Sequence, residues 1–358
     1  MSRFLGAQYA RMDAYTPGEQ PRDMQYIKLN TNENPYPPAP AVTGLLSSED
    51  TKNLRLYSDP TCAVLKEKLS ALYGVKTENI FVGNGSDDIL NFLFMAYSRE
   101  KGVTFADITY GFYSVYAALY GAESAVIPLK EDFSVDYRDY CDAGKMVVIA
   151  NPNAPTGLSL PRAEMEKIIA SNPQSVVVVD EAYVDFGGES CLELIQKYDN
   201  LVVVRTFSKS RSMAGARLGY AFASKAIIED LEKLKYATNP YSINRLTLRL
   251  GEKTVEEEAY TQACCKRIVE TREKAAKALR DMGFTVLNSD ANFLFAAHPS
   301  ISGRALYERL KESGILVRHF ASPRIDRFIR ITIGTEEDMV RFVYAIRKII
   351  EGGPNAKV

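Results

Sequence analysis

The stretch LVVVRTFSKSRSMAGAR at 201–217 opens on four apolar residues and then turns to hydroxyls, a lysine and three arginines. Leu201–Val204 lacks polar alternation, which predicts a strand covered on both faces, as in a mostly parallel sheet. Lys209 follows that strand end and sits between Thr206, Ser208 and Arg217. Schiff-base chemistry needs a nucleophilic lysine amine, and hydroxyls beside an arginine suit a phosphate dianion. A basic surface loop is the plainer alternative for this segment taken alone.

Outward from this stretch the same design repeats. Strands are predicted at Ile80–Val82, Val103–Ala106, Ala125–Ile127, Val147–Ala150 and Val176–Val179. Helical segments between them predict a doubly wound α/β domain, in which ligands bind beyond the carboxyl ends of the strands. Three more of these ends carry polar residues. Gly83-Asn84-Gly85-Ser86-Asp87 precedes an apolar helix, so backbone N–H groups at its start could face a phosphate, or Ser86 could be a simple N-cap. Asp180 follows Val176–Val179, and a carboxylate there is costly to bury without a cationic partner. A protonated pyridine nitrogen would be such a partner. The alternatives are a capping role or Mg²⁺ binding, although no Walker-A lysine precedes it. Val147–Ala150 leads into Asn151-Pro152-Asn153-Ala154-Pro155-Thr156-Gly157, a rigid turn that carries amides.

The rest of the chain sets bounds. It has 358 residues, 46% hydrophobic and 25% charged, with a net charge of −1 and no block of like charge. No nucleic-acid or membrane partner is expected from that balance. Two histidines and five cysteines without zinc-like spacing argue against a metal site and suit reduced thiols. Residues 1–18 contain no apolar leader, so a cytoplasmic place is expected. The segment to about Pro40 is expected to be an extended arm. Asp59-Pro60 predicts an N-cap and first helical residue, with Leu65, Leu69 and Leu72 on one face. A long helix is predicted over 255–282, then two strands and two helices, the last starting after Thr335 with Glu336, Glu337 and Asp338 in its first turn. The expected division is an arm with part of a small domain at 1–50, a large domain at 51–240, and a smaller α+β domain at 241–358.

TFSK with Arg217 eight residues on, VVVVDEAYVDF at 176–186 and NPNAPTG at 151–157 together resemble the fold-type I pyridoxal-phosphate (PLP) aminotransferases. The likeness runs from arm to last helix and is greatest to the histidinol-phosphate aminotransferase family. It implies that Lys209 holds the cofactor as a Schiff base and later carries the substrate proton. Asp180 would pair with the pyridine nitrogen, Tyr183 would donate to the ring hydroxyl, and Tyr110 would stack on the ring. Backbone groups of Ser86 and Asp87, with Thr206, Ser208 and Arg217, would hold the phosphate, and Tyr57 would reach the phosphate of a neighbouring subunit in a homodimer. Ala154 stands where the family has an asparagine, so Asn153 is the expected replacement. Tyr15 and Asn32 in the arm, with Arg318 and Arg330 near the other end, would contact the substrate. The reaction implied is transamination between L-histidinol phosphate and 2-oxoglutarate. An aromatic or broad-specificity aminotransferase, a threonine-phosphate decarboxylase and a non-catalytic PLP-binding protein are the alternatives.

Overall fold

The computed structural model describes residues 4–352. Its central sheet has seven strands: β1 (Ile80–Gly83), β2 (Val103–Ala106), β3 (Ser124–Ile127), β4 (Met146–Ala150), β5 (Val177–Asp180), β6 (Leu201–Thr206) and β7 (Gly219–Ala223). Their order is β1-β7-β6-β5-β4-β2-β3. Only β7 runs antiparallel to its neighbours β1 and β6, while the other pairings are parallel. The six predicted strands are present. The seventh, β7, was not predicted: its Gly-Tyr-Ala-Phe-Ala run is short and begins two residues after the polar Arg217 loop.

Strand alternation places the core and the site together. Val177, Val179, Leu201 and Val203 pack into one apolar layer, and Val178, Val202 and Val204 into the opposite one. Each such side chain, fully removed from water, contributes about 1.5–3 kcal/mol. The same period of two sends Asp180 to the face of Val178, and Glu181 to that of Arg205.

A second sheet is built from β8 (Thr285–Val286), β9 (Phe293–Ala297), β10 (Arg318–His319) and β11 (Phe328–Thr332), in the order β10-β11-β9-β8, all antiparallel. Its apolar face packs on the helices Glu258–Asp281 and Glu336–Glu351 through Ile268, Leu279, Phe342 and Ile346. In the arm, Ile27–Lys28 pairs in parallel with Ile315–Leu316.

Three local expectations need correction. The long helix is broken at Glu257 into Arg245–Glu256 and Glu258–Asp281, so Val255 belongs to the first piece. The helix expected from Asp59-Pro60 begins at Ala63, although the Asp59 carboxylate does accept the Ala63 N–H at 2.9 Å. Five short strands, not two, follow residue 282, because two-residue strands carry no readable period. The last helix does start after Thr335, whose hydroxyl and the Asp338 carboxylate form a reciprocal capping box. Among the described residues no helix is long and apolar enough to cross a membrane, and no cluster of potential metal ligands occurs.

Candidate active site

The carboxyl ends of β4, β5 and β6 open on a cavity of about 370 Å³, lined among others by Asp180, Tyr183, Lys209, Ser86 and Arg217. Asp180 ends β5 and is 5% exposed. Its carboxylate accepts from the Tyr113 hydroxyl at 2.8 Å and from the Ala182 N–H at 3.2 Å, and no cation pairs with it among the described residues. Burial therefore raises its pKa to about 6. The next residue is the counter-example. Glu181, on the opposite face, accepts two bonds from the Arg205 guanidinium at 2.9 and 3.1 Å, plus the Cys191 N–H at 2.6 Å. One carboxylate is neutralised within the fold, and the other faces the cavity without a countercharge.

The rim of the cavity is fixed by two glycines. Gly85 has φ +88°, and a Cβ there would lie 2.6 Å from Arg217 Nη2. A Cβ on Gly219 would lie 2.5 Å from the Gly85 carbonyl carbon and the Ser86 nitrogen. Only glycine allows β7, the start of helix Ser86–Tyr97 and Arg217 to close together. Ser86 and Asp87, which open that helix without a side-chain cap, line the cavity beside Arg217, which donates to Asp87 at 3.0 Å and to Ser208 at 3.4 Å. Thr206 accepts the Ser208 N–H at 3.0 Å, ordering the loop that carries Lys209. Lys209 is half-buried, and its Nζ donates to the Thr31 carbonyl at 3.3 Å. Tyr110 donates to Asp87 at 2.7 Å, which holds its ring over the cavity wall.

A second chamber of about 460 Å³ shares Thr31, Tyr110, Ala154, Tyr183 and Lys209 with the first. Tyr15, stacked on Phe112 at 4.1 Å, and Asn32 also line it. Arg318 and Arg330 are directly opposed residues of β10 and β11 and both line this chamber. Like charges so placed repel. Neither has a carboxylate partner among the described residues: Arg330 lies over Phe293 and Phe320 and donates to the Asn30 carbonyl at 3.1 Å. Its Nε is buried without a partner, and burial lowers its pKa. Arg318 donates to the carbonyls of Thr16 and Pro17 at 3.0 and 3.1 Å, tying the arm over the chamber.

Two expected residues lie elsewhere. Asn153 does not line either chamber: its amide is engaged by Ile108, Thr156 and Thr109 at 2.8–3.0 Å, and Ala154 takes the cavity wall. Its expected replacement of the family asparagine is thereby corrected, since its amide is engaged by Ile108 and Thr109 outside the turn and by Thr156 within it. Tyr57 is 78% exposed, stacked on Tyr241, and outside the cavity of its own chain. The sequence reading missed Tyr113, Thr31, Gln20, Glu33 and Asn34, which donates to the carbonyls of Lys209 and Ser210 at 3.1 Å. Tyr113 shares its helix with the hydroxyls of Ser114, Tyr116 and Tyr120, so nothing local singled it out, and the others sit in an aperiodic arm.

A lysine at a strand end, an uncompensated buried carboxylate and an anion cradle define a PLP enzyme of the aminotransferase type. Residues 24–346 match the family described as Aminotransferase class I and II, and the chain belongs to that family. More particularly, it is similar to the histidinol-phosphate aminotransferase of Marinomonas sp., 49% identical over 355 residues, 98% of this chain and 100% of that protein. Its identity to the histidinol-phosphate aminotransferase of Brachyspira hyodysenteriae is 47% over 353 residues, with the same coverage of 98% and 100%. The fold matches the crystal structure of histidinol-phosphate aminotransferase from Sinorhizobium meliloti in complex with pyridoxal-5′-phosphate, with a TM-score of 0.87, 21% identity and 98% of each chain covered. The cofactor of the family is PLP, and the cavity suits it. Arg217 and the helix start offer donors to a phosphate, and Asp180 offers a buried anion to a pyridinium.

Proposed function

We propose that the protein transfers the amino group of L-histidinol phosphate to 2-oxoglutarate, giving imidazole-acetol phosphate and L-glutamate. The observation that carries this reading is the pair Arg318 and Arg330, two opposed cations without a carboxylate partner among the described residues, facing a chamber that adjoins Lys209. A phosphate dianion answers two guanidinium groups, and the α-carboxylate of glutamate answers one. One chamber thus serves both half-reactions.

When bound, PLP supplies an electron-withdrawing ring that takes up the charge left when the substrate carbon loses its proton. Lys209 would hold the cofactor through its amine and move the proton at the substrate carbon. Asp180 would keep the pyridine nitrogen protonated. Tyr183 would donate to the ring oxygen, and Tyr110 would lie against the ring. The N–H groups of Ser86 and Asp87, with Thr206, Ser208 and Arg217, bind the phosphate. Tyr15 and the arm tied by Arg318 exclude water from the reacting atoms.

The reading extends to a cytoplasmic homodimer in which Tyr57 completes the neighbouring subunit's phosphate site, and to the domain division at residues 50 and 240. The exposed stack of Tyr57 on Tyr241 supports that role, being outside its own cavity. A transaminase assay with 2-oxoglutarate tests the substrate: histidinol phosphate should be consumed well ahead of phenylalanine, tyrosine and aspartate. Equal use of phenylalanine would replace the reading with a broad aminotransferase.

A further inference from the structure

Ala154 lines the cavity wall and carries no polar group, so Tyr183, which lines the same wall, is left to serve the cofactor's ring oxygen. A tyrosine hydroxyl has one hydrogen, and its use depends on where that hydrogen points. The neighbours of Tyr183 fix the direction. Thr332 Oγ1 accepts the Asn32 N–H at 2.9 Å, and its own hydrogen then goes to Asn32 Oδ1 at 3.0 Å. With Oδ1 so engaged, the Asn32 amide nitrogen must face Tyr183 Oη, 3.0 Å away, and donate to it. The Asn292 amide holds the Asn32 carbonyl at 3.1 Å, and Asn32 and Thr332 are 1% and 2% exposed, so water does not compete. A flipped Asn32 amide would leave the Thr332 hydroxyl accepting two hydrogens and donating none. It would also draw the Tyr183 hydrogen away from the cavity.

We infer that Asn32 and Thr332 are positioning residues that aim the Tyr183 hydrogen at the cofactor's ring oxygen. The inference rests on the proposed placement of PLP on Lys209. It assigns Asn32 a task different from direct substrate contact. Thr332 lies two residues beyond Arg330 on β11, so the strand that offers the substrate its cation also sets the polarity of this chain of hydrogen bonds.

The test reads the bound cofactor in the holoenzyme, not turnover. A donor on the ring oxygen stabilises its anion and weakens its hold on the Schiff-base proton, so losing the donor raises the pH at which the visible absorbance changes. Tyr183→Phe should raise that midpoint by about one pH unit. Thr332→Val and Asn32→Ala should raise it in the same direction, and Thr332→Ser should restore the native value. In the Tyr183→Phe background Thr332→Val should add nothing. The inference is overturned if Thr332→Val and Asn32→Ala keep the native midpoint while Tyr183→Phe raises it, or if the shifts from Tyr183→Phe and Thr332→Val simply add. It is also overturned if Thr332→Ser behaves as Thr332→Val, since the hydroxyl would then not be what matters. A native protein without a borohydride-sensitive visible band is a separate failure: it removes the Lys209 reading, and this inference with it.

Discussion

The two chambers that meet at Lys209 are built on opposite electrostatic plans. The first carries both signs within itself: Arg217 pairs with Asp87 at 3.0 Å, and Asp180 stands as a buried acid in the same cavity. In the second, Arg318 and Arg330 face one another with no carboxylate paired to either among the described residues, and the acid in its lining, Asp107, is paired with Arg324 at 2.9 Å. The first chamber is arranged for a guest that brings a cation and an anion at its two ends. The second keeps two guanidinium groups without a carboxylate partner until an anion enters. Lesions in the first should therefore appear in turnover, and lesions in the second in kcat/KM.

The largest effect is expected at Lys209. Lys209→Ala should reduce transamination to background while PLP still binds non-covalently, as absorbance and peptide mapping after borohydride would report. Attachment of the reduced cofactor to another lysine would contradict the assignment. Next comes Asp180→Asn, for which kcat should fall roughly 10²- to 10³-fold, the scale of losing one preorganised charge at the reacting group. Cofactor retention should change little, because the phosphate contacts are untouched.

The neighbouring carboxylate sharpens the contrast. Glu181→Gln leaves the buried Arg205 with only the more distant Asp185 carboxylate, 3.7 Å away, and should cost up to about 3–5 kcal/mol of stability in urea unfolding, with a smaller effect on chemistry in the surviving folded fraction. Asp180 behaves in the opposite way in cofactor-free protein. Its pKa is raised by burial to about 6, above the value near 3.9 in an unfolded chain. Between these values the fold binds more protons than the unfolded chain, so its stability falls as pH rises from about 4 to 6 and is level above that. The Asp180→Asn variant should lack this loss and be more stable than the native apoprotein at pH 7 by about 2–3 kcal/mol. Parallel melts of the two apoproteins across that range would check it.

Smaller effects belong to the second chamber. Arg330→Ala should lower kcat/KM for both histidinol phosphate and glutamate by roughly ten- to a hundredfold, the worth of a charged hydrogen bond of about 1.5–3 kcal/mol. Arg318→Ala should do less overall, and should hurt the phosphorylated donor more than glutamate.

The chambers also differ in how legible they are from sequence. The first is written locally: Asp180 and Lys209 each follow an apolar strand, and a strand end is a position that chain order reveals. The missed strand Gly219–Ala223 changed the direction of one sheet member without moving any of these ends. The second chamber depends on contacts across some 300 residues, such as Asn32 with Thr332 and Arg318 with the arm carbonyls. The family resemblance named Arg318, Arg330 and Asn32, but not what they touch. Asn153 failed for a related reason, because its amide is held by Ile108 and Thr109, some 45 residues earlier in the chain, as well as by Thr156.

The most direct test of the account compares kcat/KM for histidinol phosphate and for unphosphorylated histidinol, in the native protein and in the Arg318→Ala, Arg330→Ala double variant. The native ratio should be about a hundredfold or more, as expected for two charged contacts to one phosphate, and it should collapse towards unity in the double variant. A native ratio near one, or a large ratio that survives loss of both arginines, would contradict the claim that the second chamber is a phosphate site.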